Sequence, residues 1–263
     1  MKRILIALAV LLAVQVADAQ TKSPEAAKKA VVAAEEAAQN PKKATKVATW
    51  VKLATSYMDA YNAPAGSAWV GASKQELQLL MGGQQPLSVV NVEVGGEALV
   101  KESYADKDFY FNSNGQLALI DITKPVVENA LAKAIDAYKK AYEVDVKKSK
   151  IKDITGGLEI ISKKYMDEAM NAYTFGDLVK ASELFEAAAN ASAVEPLAKI
   201  DTTALYNAGY TAWAANNNDK AKEIFEKCLE VGYYYEGGEV YAKLGDVYTN
   251  LGDAKKGADI LEQ

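Results

Sequence analysis

Apolar residues recur at helical spacing over most of the chain, and in its last third they do so twice in the same register. In DKAKEIFEKCLEVG, Ala221, Ile224, Phe225, Cys228 and Leu229 stand at i, i+3, i+4, i+7 and i+8, the stripe of an amphipathic helix. Gly232 follows at the point where a left-handed residue ends such a helix. The preceding run, TALYNAGYTAWAAN, places Leu205, Ala208, Gly209 and Ala212 on one face, opens on Asp201-Thr202-Thr203 and stops at Asn216-Asn217-Asn218-Asp219, which suits a turn and the cap of the next helix. The small pair Ala208-Gly209 is echoed 36 residues on by Leu244-Gly245, and Ala221 and Phe225 by Gly257 and Leu261. Two short amphipathic segments repeated at a period in the mid-thirties, with small residues where they cross, predict antiparallel helix pairs stacked as a solenoid.

The rest of the chain fits that plan with one interruption. Ser23-Pro24-Glu25 and Asn40-Pro41 are helix starts, a capping side chain followed by Pro at the first helical position. The first predicts an Ala-rich N-terminal capping helix within residues 20–40, the second a helix PKKATKVATWVKLATSYMDAYN bearing Trp50, Leu53, Ala54 and Tyr57. No partner helix follows directly. Residues 63–123 are instead broken by Gly, Pro and β-branched residues: KQELQLLM predicts a short helix, SVVNVEV and EALVKESY a hairpin over Gly95-Gly96, and DFYFNS and QLALID a second hairpin through Asn114-Gly115. Only then does PVVENALAKAIDAYKKAYE supply Ala134, Tyr138 and Ala141. Residues 41–145 thus read as one helix pair split by a β insertion at 63–123, and 146–263 as tandem pairs of which the last is incomplete. That last unit leaves Val247, Tyr248, Ile260 and Leu261 incompletely covered.

The pattern resembles the tetratricopeptide repeat, with a small pair and an aromatic on helix A, Gly-Asp in the turn, and Ala, aromatic, Ala on helix B. Leu244, Gly245, Tyr248, Gly252 and Asp253 carry it in the last unit, and Ala221, Phe225 and Cys228 in the one before. Upstream, Tyr165, Ala169, Gly176-Asp177, Ala181, Phe185 and Ala188 carry it from about Lys163 onward. Ala172 and Ala212 depart from it where an aromatic is usual, as does Gly257 in place of Ala. A split repeat of this kind resembles exported bacterial tetratricopeptide proteins. The resemblance implies a mainly α fold and a concave groove lined by a second stripe on each helix A. On the helix near Thr202 that stripe is Tyr206, Tyr210 and Trp213, within about 60° of one another at 100° per residue, and in the preceding unit Met166, Met170 and Tyr173. Such side chains suit gripping a protein or peptide segment; the alternative is that they pack on a neighbouring helix A.

Composition narrows the chemistry. Met1 to Gln20, MKRILIALAVLLAVQVADAQ, has a basic start, an apolar run and Ala17-Asp18-Ala19, the form of a secretory leader cut after Ala19. The apolar run is short for a spanning helix, and no later segment is long and apolar enough to span. The net charge is −5, or −6 once Lys2, Arg3 and Asp18 leave with the leader. Without a basic block this argues against nucleic acid as a partner. The chain has no histidine, which excludes imidazole-based triads and zinc sites built on His. Its single cysteine, Cys228, stands at a helix-packing position. The Gly pairs beginning at 82, 95, 156 and 237 fit no phosphate-binding spacing and read as turns. Asn190-Ala191-Ser192 matches a glycosylation sequon by chance at a helix end. The carboxylates Glu35-Glu36, Asp106 with Asp108, and Glu236 with Glu239 read as solvated faces. No catalytic, cofactor or metal site is implied. The expectation is an exported, periplasmic or envelope-associated interaction scaffold that grips a peptide or protein in its groove. The alternative is a structural component of a cell-envelope assembly, acting through the insertion or the convex surface.

Overall fold

The computed structural model describes residues 21–262; the leader expected at residues 1–19 lies outside them. It is a mainly α, antiparallel helix-pair solenoid carrying a small antiparallel sheet. The chain opens with α1 (Pro24–Gln39), capped by Ser23 Oγ on Ala26 N–H. It continues through α2 (Pro41–Ala44), capped by Asn40, into α3 (Val47–Asn62). The single helix expected from Pro41 is therefore broken at Thr45-Lys46, where Lys46 is extended. Trp50 Nε1 donates to Ala44 O at 2.7 Å and satisfies a carbonyl that the break leaves. α1 lays Ala27, Val31 and Ala34 on α3, and Tyr57 Oη donates to Glu35 Oε1 at 2.6 Å.

The helix that packs along α3 is α5 (Ala130–Val144), on the far side of the sheet in sequence. Between them lie α4 (Lys74–Leu80), closed by a Ser73–Glu76 capping box, and strands β1 (Ser88–Val94), β2 (Glu97–Ser103), β3 (Lys107–Phe111) and β4 (Leu117–Ile122). The two expected hairpins are present and are fused. β2 also pairs with β3, so the strands form one meander in the order β1-β2-β3-β4. Gly95 and Gly96 both have positive φ, as the tight turn from β1 to β2 requires. One sheet face packs Phe109, Phe111 and Leu117 on Ala72 and Leu77, and the other gathers Leu99, Tyr110 and Leu119. The sheet docks on the end of α6 (Ile151–Thr174): Tyr110 meets Phe175 edge-on at 5.2 Å between ring centroids, and Asn171 Nδ2 donates to Ile120 O at 3.4 Å.

α6 begins well before Lys163 and serves two neighbours. Its first half buries Ile154, Leu158 and Ile161 in the N-terminal core, and its second half packs Ala169 and Ala172 against α7 (Leu178–Ala193). Gly156-Gly157, expected as a turn, lies inside this helix, where a Cβ on Gly157 would overlap the Tyr138 ring. Glycine stands there because two helices cross at that point.

Beyond α7 come α8 (Thr202–Ala214), α9 (Asn218–Glu230), α10 (Glu239–Asn250) and α11 (Ala254–Leu261), each packed on the one before it. Three turns share one design. Gly176, Asn216 and Gly252 have positive φ; Asp177, Asn217 and Asp253 then cap the next helix by accepting from the N–H of Lys180, Lys220 and Lys256. The cap residue's own N–H returns to Ala172 O, Ala212 O and Tyr248 O at 2.9 Å each time. The same closure in three places is the sequence repeat seen as hydrogen bonds. Val247 and Tyr248, expected on an incompletely covered face, are buried in the C-terminal core, while Ile260 is half-buried and Leu261 is 60% exposed.

Candidate interaction surface

The orientation of α8 follows from one small residue. A Cβ on Gly209 would come within 2.8 Å of the Phe225 ring, so α8 and α9 touch backbone to ring at that point. Ala208, Gly209 and Ala212 are thereby buried. The second stripe of α8 is turned toward α10: Lys243 Nζ lies 3.6 Å from the centroid of Trp213 and 5.6 Å from that of Tyr210, a cation over two aromatic faces. Tyr210 and Trp213 are half-buried and lie 5.7 Å apart between centroids.

Tyr206, the first member of that stripe, is buried. Its ring stacks on Tyr235 at 4.2 Å and 6°, and it lies 6.2 Å from both Tyr210 and Phe225. Burial, followed by the carboxylate of Glu239, pushes its phenol well above the usual tyrosine range. Tyr235 has φ 56° and ψ 173°, a backbone conformation that a bulky side chain rarely adopts, and the stack on Tyr206 holds it there. Met166, Met170 and Tyr173 are partly buried on α6 and pack in the cluster of Ala169, Phe185, Ala208 and Leu205. Burial first, and next the neighbouring phenol of Tyr173, pushes the Tyr210 phenol upward. The six residues thus pack in two clusters, Met166, Met170 and Tyr173 beside Ala208 and Leu205, and Tyr206, Tyr210 and Trp213 beside α9 and α10. Tyr206 is enclosed there, and the other five keep part of their surface in solvent.

Sequence periodicity did not mark Lys243 or Tyr235, and Glu239, expected on a solvated face, lies against the phenol of Tyr206. The run Gly232-Tyr233-Tyr234-Tyr235 was a usable signal, because three aromatics after a helix-ending glycine exceed what a solvated turn needs.

Elsewhere the ionisable groups are spent on structure. Cys228 is fully buried and burial pushes its thiol up to about 12, the opposite of an activated nucleophile. Asp108 pairs with Lys101 at 2.5 Å and Asp106 with Lys107 at 3.0 Å. Ser192 of the sequon is buried, its hydroxyl 2.9 Å from that of Ser162. Among the described residues no group of three or more Cys, Asp or Glu side chains is placed to hold a metal ion, and no helix is long and apolar enough to cross a membrane.

Comparison with known proteins bears on α8 and α9, the pair whose geometry is clearest. Residues 202–231 match the tetratricopeptide repeat. The matched span runs from the first residue of α8 to the turn after α9 and contains the Gly209–Phe225 crossing, so the tetratricopeptide pattern and the packing that realises it coincide. No curated protein matches the chain. Among solved structures it is similar to the crystal structure of BtubC (BKLC) from P. vanneervenii, at 12% identity over 93% of this chain and 89% of that one, with a TM-score of 0.34. Tetratricopeptide repeats form a non-catalytic family of protein-interaction modules, and the repeat at 202–231 supports that general role here.

Proposed function

We propose that this protein is an exported interaction scaffold that holds an extended peptide or a protein segment along the face where its A helices line up. The observation that carries the reading is a half-buried aromatic and cationic surface shared by two A helices, Tyr210 and Trp213 on α8 with Lys243 of α10 over both rings, while Met170 and Tyr173 are half-buried on α6, the A helix before them. Each member is half-buried, so its inner side is fixed by packing and its outer edge is free. Rigid aromatic edges give contact area at small entropic cost, and Met adapts to the shape of what it meets. Lys243 adds a positive charge over the aromatic pair, which suits a segment bearing a carboxylate. Export rests on the leader expected at residues 1–19, cut after Ala19, and would make the periplasm or envelope the place where a partner is met.

The test is capture of a partner from envelope extract, followed by titration of the purified partner against Tyr210→Ala and Trp213→Ala. Each substitution is expected to weaken binding by about tenfold or more, the scale of truncating an aromatic anchor, with the melting profile as a control for folding. Undiminished binding by both variants overturns the groove reading.

A second reading has its own observation. The insertion exposes Leu79 at 84%, Leu87 at 77% and Val70 at 59%, more apolar surface than its packing explains. If binding survives the two groove substitutions and is lost on replacing Leu79 and Leu87 by Ser, the protein acts instead as a structural component of an envelope assembly through its insertion.

A further inference from the structure

We infer that the free edge of the sheet is a self-association surface: β1 of one chain pairs antiparallel with β1 of a second copy about a two-fold axis at Asn91. The two edges of the sheet are treated differently. On β4 the carbonyl of Ile120 accepts from Asn171 Nδ2 of α6, whereas on β1 Ser88 to Asn91 are all exposed, with Val89 and Val90 at 55% and 47%. Edge strands that stay single are shielded by Pro, Lys, a covering element or short length. β1 is seven residues long, SVVNVEV, with no Pro or Lys and one charge. It is a ready template for another strand.

The turn fixes which groups point outward. Gly95-Gly96 is a two-residue loop, which makes Val94 and Glu97 the closing hydrogen-bonded pair. Hydrogen-bonded and open positions alternate along an antiparallel strand. Val94, Val92, Val90 and Ser88 therefore bond to β2, and the N–H and C=O of Val89, Asn91 and Glu93 face away from the sheet.

A second copy fits that edge in one favoured register. A two-fold axis perpendicular to the sheet pairs residues on the same face, so the residue numbers of each pair sum to twice that of the central residue. With Asn91 central, all seven positions are paired. Val90 meets Val92, Val89 meets Glu93, Asn91 meets Asn91, and the outward amides of Val89, Asn91 and Glu93 all find acceptors. No like charges are opposed, since Glu93 faces Val89. With the centre moved to Glu93 the two carboxylates would face each other, which is destabilising. The Val90–Val92 contacts on one face cover side chains that one chain leaves in water.

The full chain is tested without any ligand. Light scattering over a concentration series is expected to show a mass rising to twice that of the chain. Amide exchange is expected to slow with concentration at Val89, Asn91 and Glu93, while Val90 and Val92 are slow throughout. Asn91→Pro removes an outward N–H and no bond to β2, a place where an edge strand tolerates Pro, and should halve the mass. In a mixture of Val90→Cys and Val92→Cys chains the thiols lie in an open pair about 4.5 Å apart at Cα, within disulfide reach, so a mixed disulfide should form ahead of either homodisulfide. A monomer at every concentration, a dimer unaffected by Asn91→Pro, or a homodisulfide of Val90→Cys in preference to the mixed one overturns the proposal. If Asn91→Pro fails to fold, the exchange pattern of the unsubstituted chain and the mixed disulfide decide it alone.

Discussion

Three helix crossings in this molecule depend on the absence of a side chain. Gly157 meets the Tyr138 ring, Gly209 meets Phe225, and Gly245 comes to Leu261 and to the backbone of Gly257. At Gly209 the neighbouring ring is itself fully buried and has no open space to turn into. Gly209→Ala gains intrinsic helix propensity of about 1 kcal/mol, yet the added methyl has to displace Phe225 or part the helices, an overpacking cost of about 1–3 kcal/mol. The steric effect exceeds the propensity gain because nothing in that core is free to yield. Gly209→Ala is expected to lower the melting temperature, measured by circular dichroism. Gly156→Ala, where a Cβ meets no neighbouring atom, is expected to leave it unchanged or raised. A Gly209→Ala chain as stable as the unsubstituted one would mean that the crossing is looser than this geometry.

At the scale of elements, two kinds of signal had different reach. The helix stripes and the turns at Asn216–Asp219, Leu251–Asp253, Gly95-Gly96 and Asn114-Gly115 were legible because each is a local pattern with a local physical cause. The pairing of β2 with β3 and the full length of α6 were not, since each is decided by what lies on the other side in space. Gly156-Gly157 reads as a turn by composition, and only the Tyr138 ring packed on it explains why the helix runs through. The six residues of the two aromatic and Met stripes were legible as stripes, but how much of each faces a neighbouring A helix depends on the stacking, which no single helix encodes. The same separation of local from stacked contacts bears on the insertion. α3 and α5 pack along each other directly, and the sheet meets the array mainly at the end of α6. Replacing residues 63–123 by a tight turn is expected to leave a cooperatively melting, largely helical protein, because each pair in a stacked array depends chiefly on its neighbours. Loss of the helical signal in far-ultraviolet circular dichroism would make the insertion a structural member of the array.

Across the whole molecule, the tyrosines that hold the cores together tie stability to alkaline pH. Burial first, and in most cases a nearby carboxylate, pushes their phenols upward: Tyr138 and Tyr165 to about 12 in the N-terminal half, and Tyr61 and Tyr206 further still. An unfolded chain releases these protons near 10, its ordinary value, while the folded chain keeps them to higher pH. Above about 10 the folded state therefore binds more protons than the unfolded one, and stability falls as pH rises. The contribution is fully present below that point. Lys101 and Lys220, raised by their partners Asp108 and Glu186, act in the same direction. The phenols are distinguished by substitution: Tyr206→Phe keeps the ring on Tyr235 and removes the ionising group. In urea titrations the unfolding midpoint is expected to be level from pH 8 to about 9.5 and to fall steeply above 10, and Tyr206→Phe is expected to reduce the fall. A midpoint that stays level to pH 11 would mean that water reaches these hydroxyls in the folded chain, and that the stack of Tyr206 on Tyr235 is more open than the burial of Tyr206 requires.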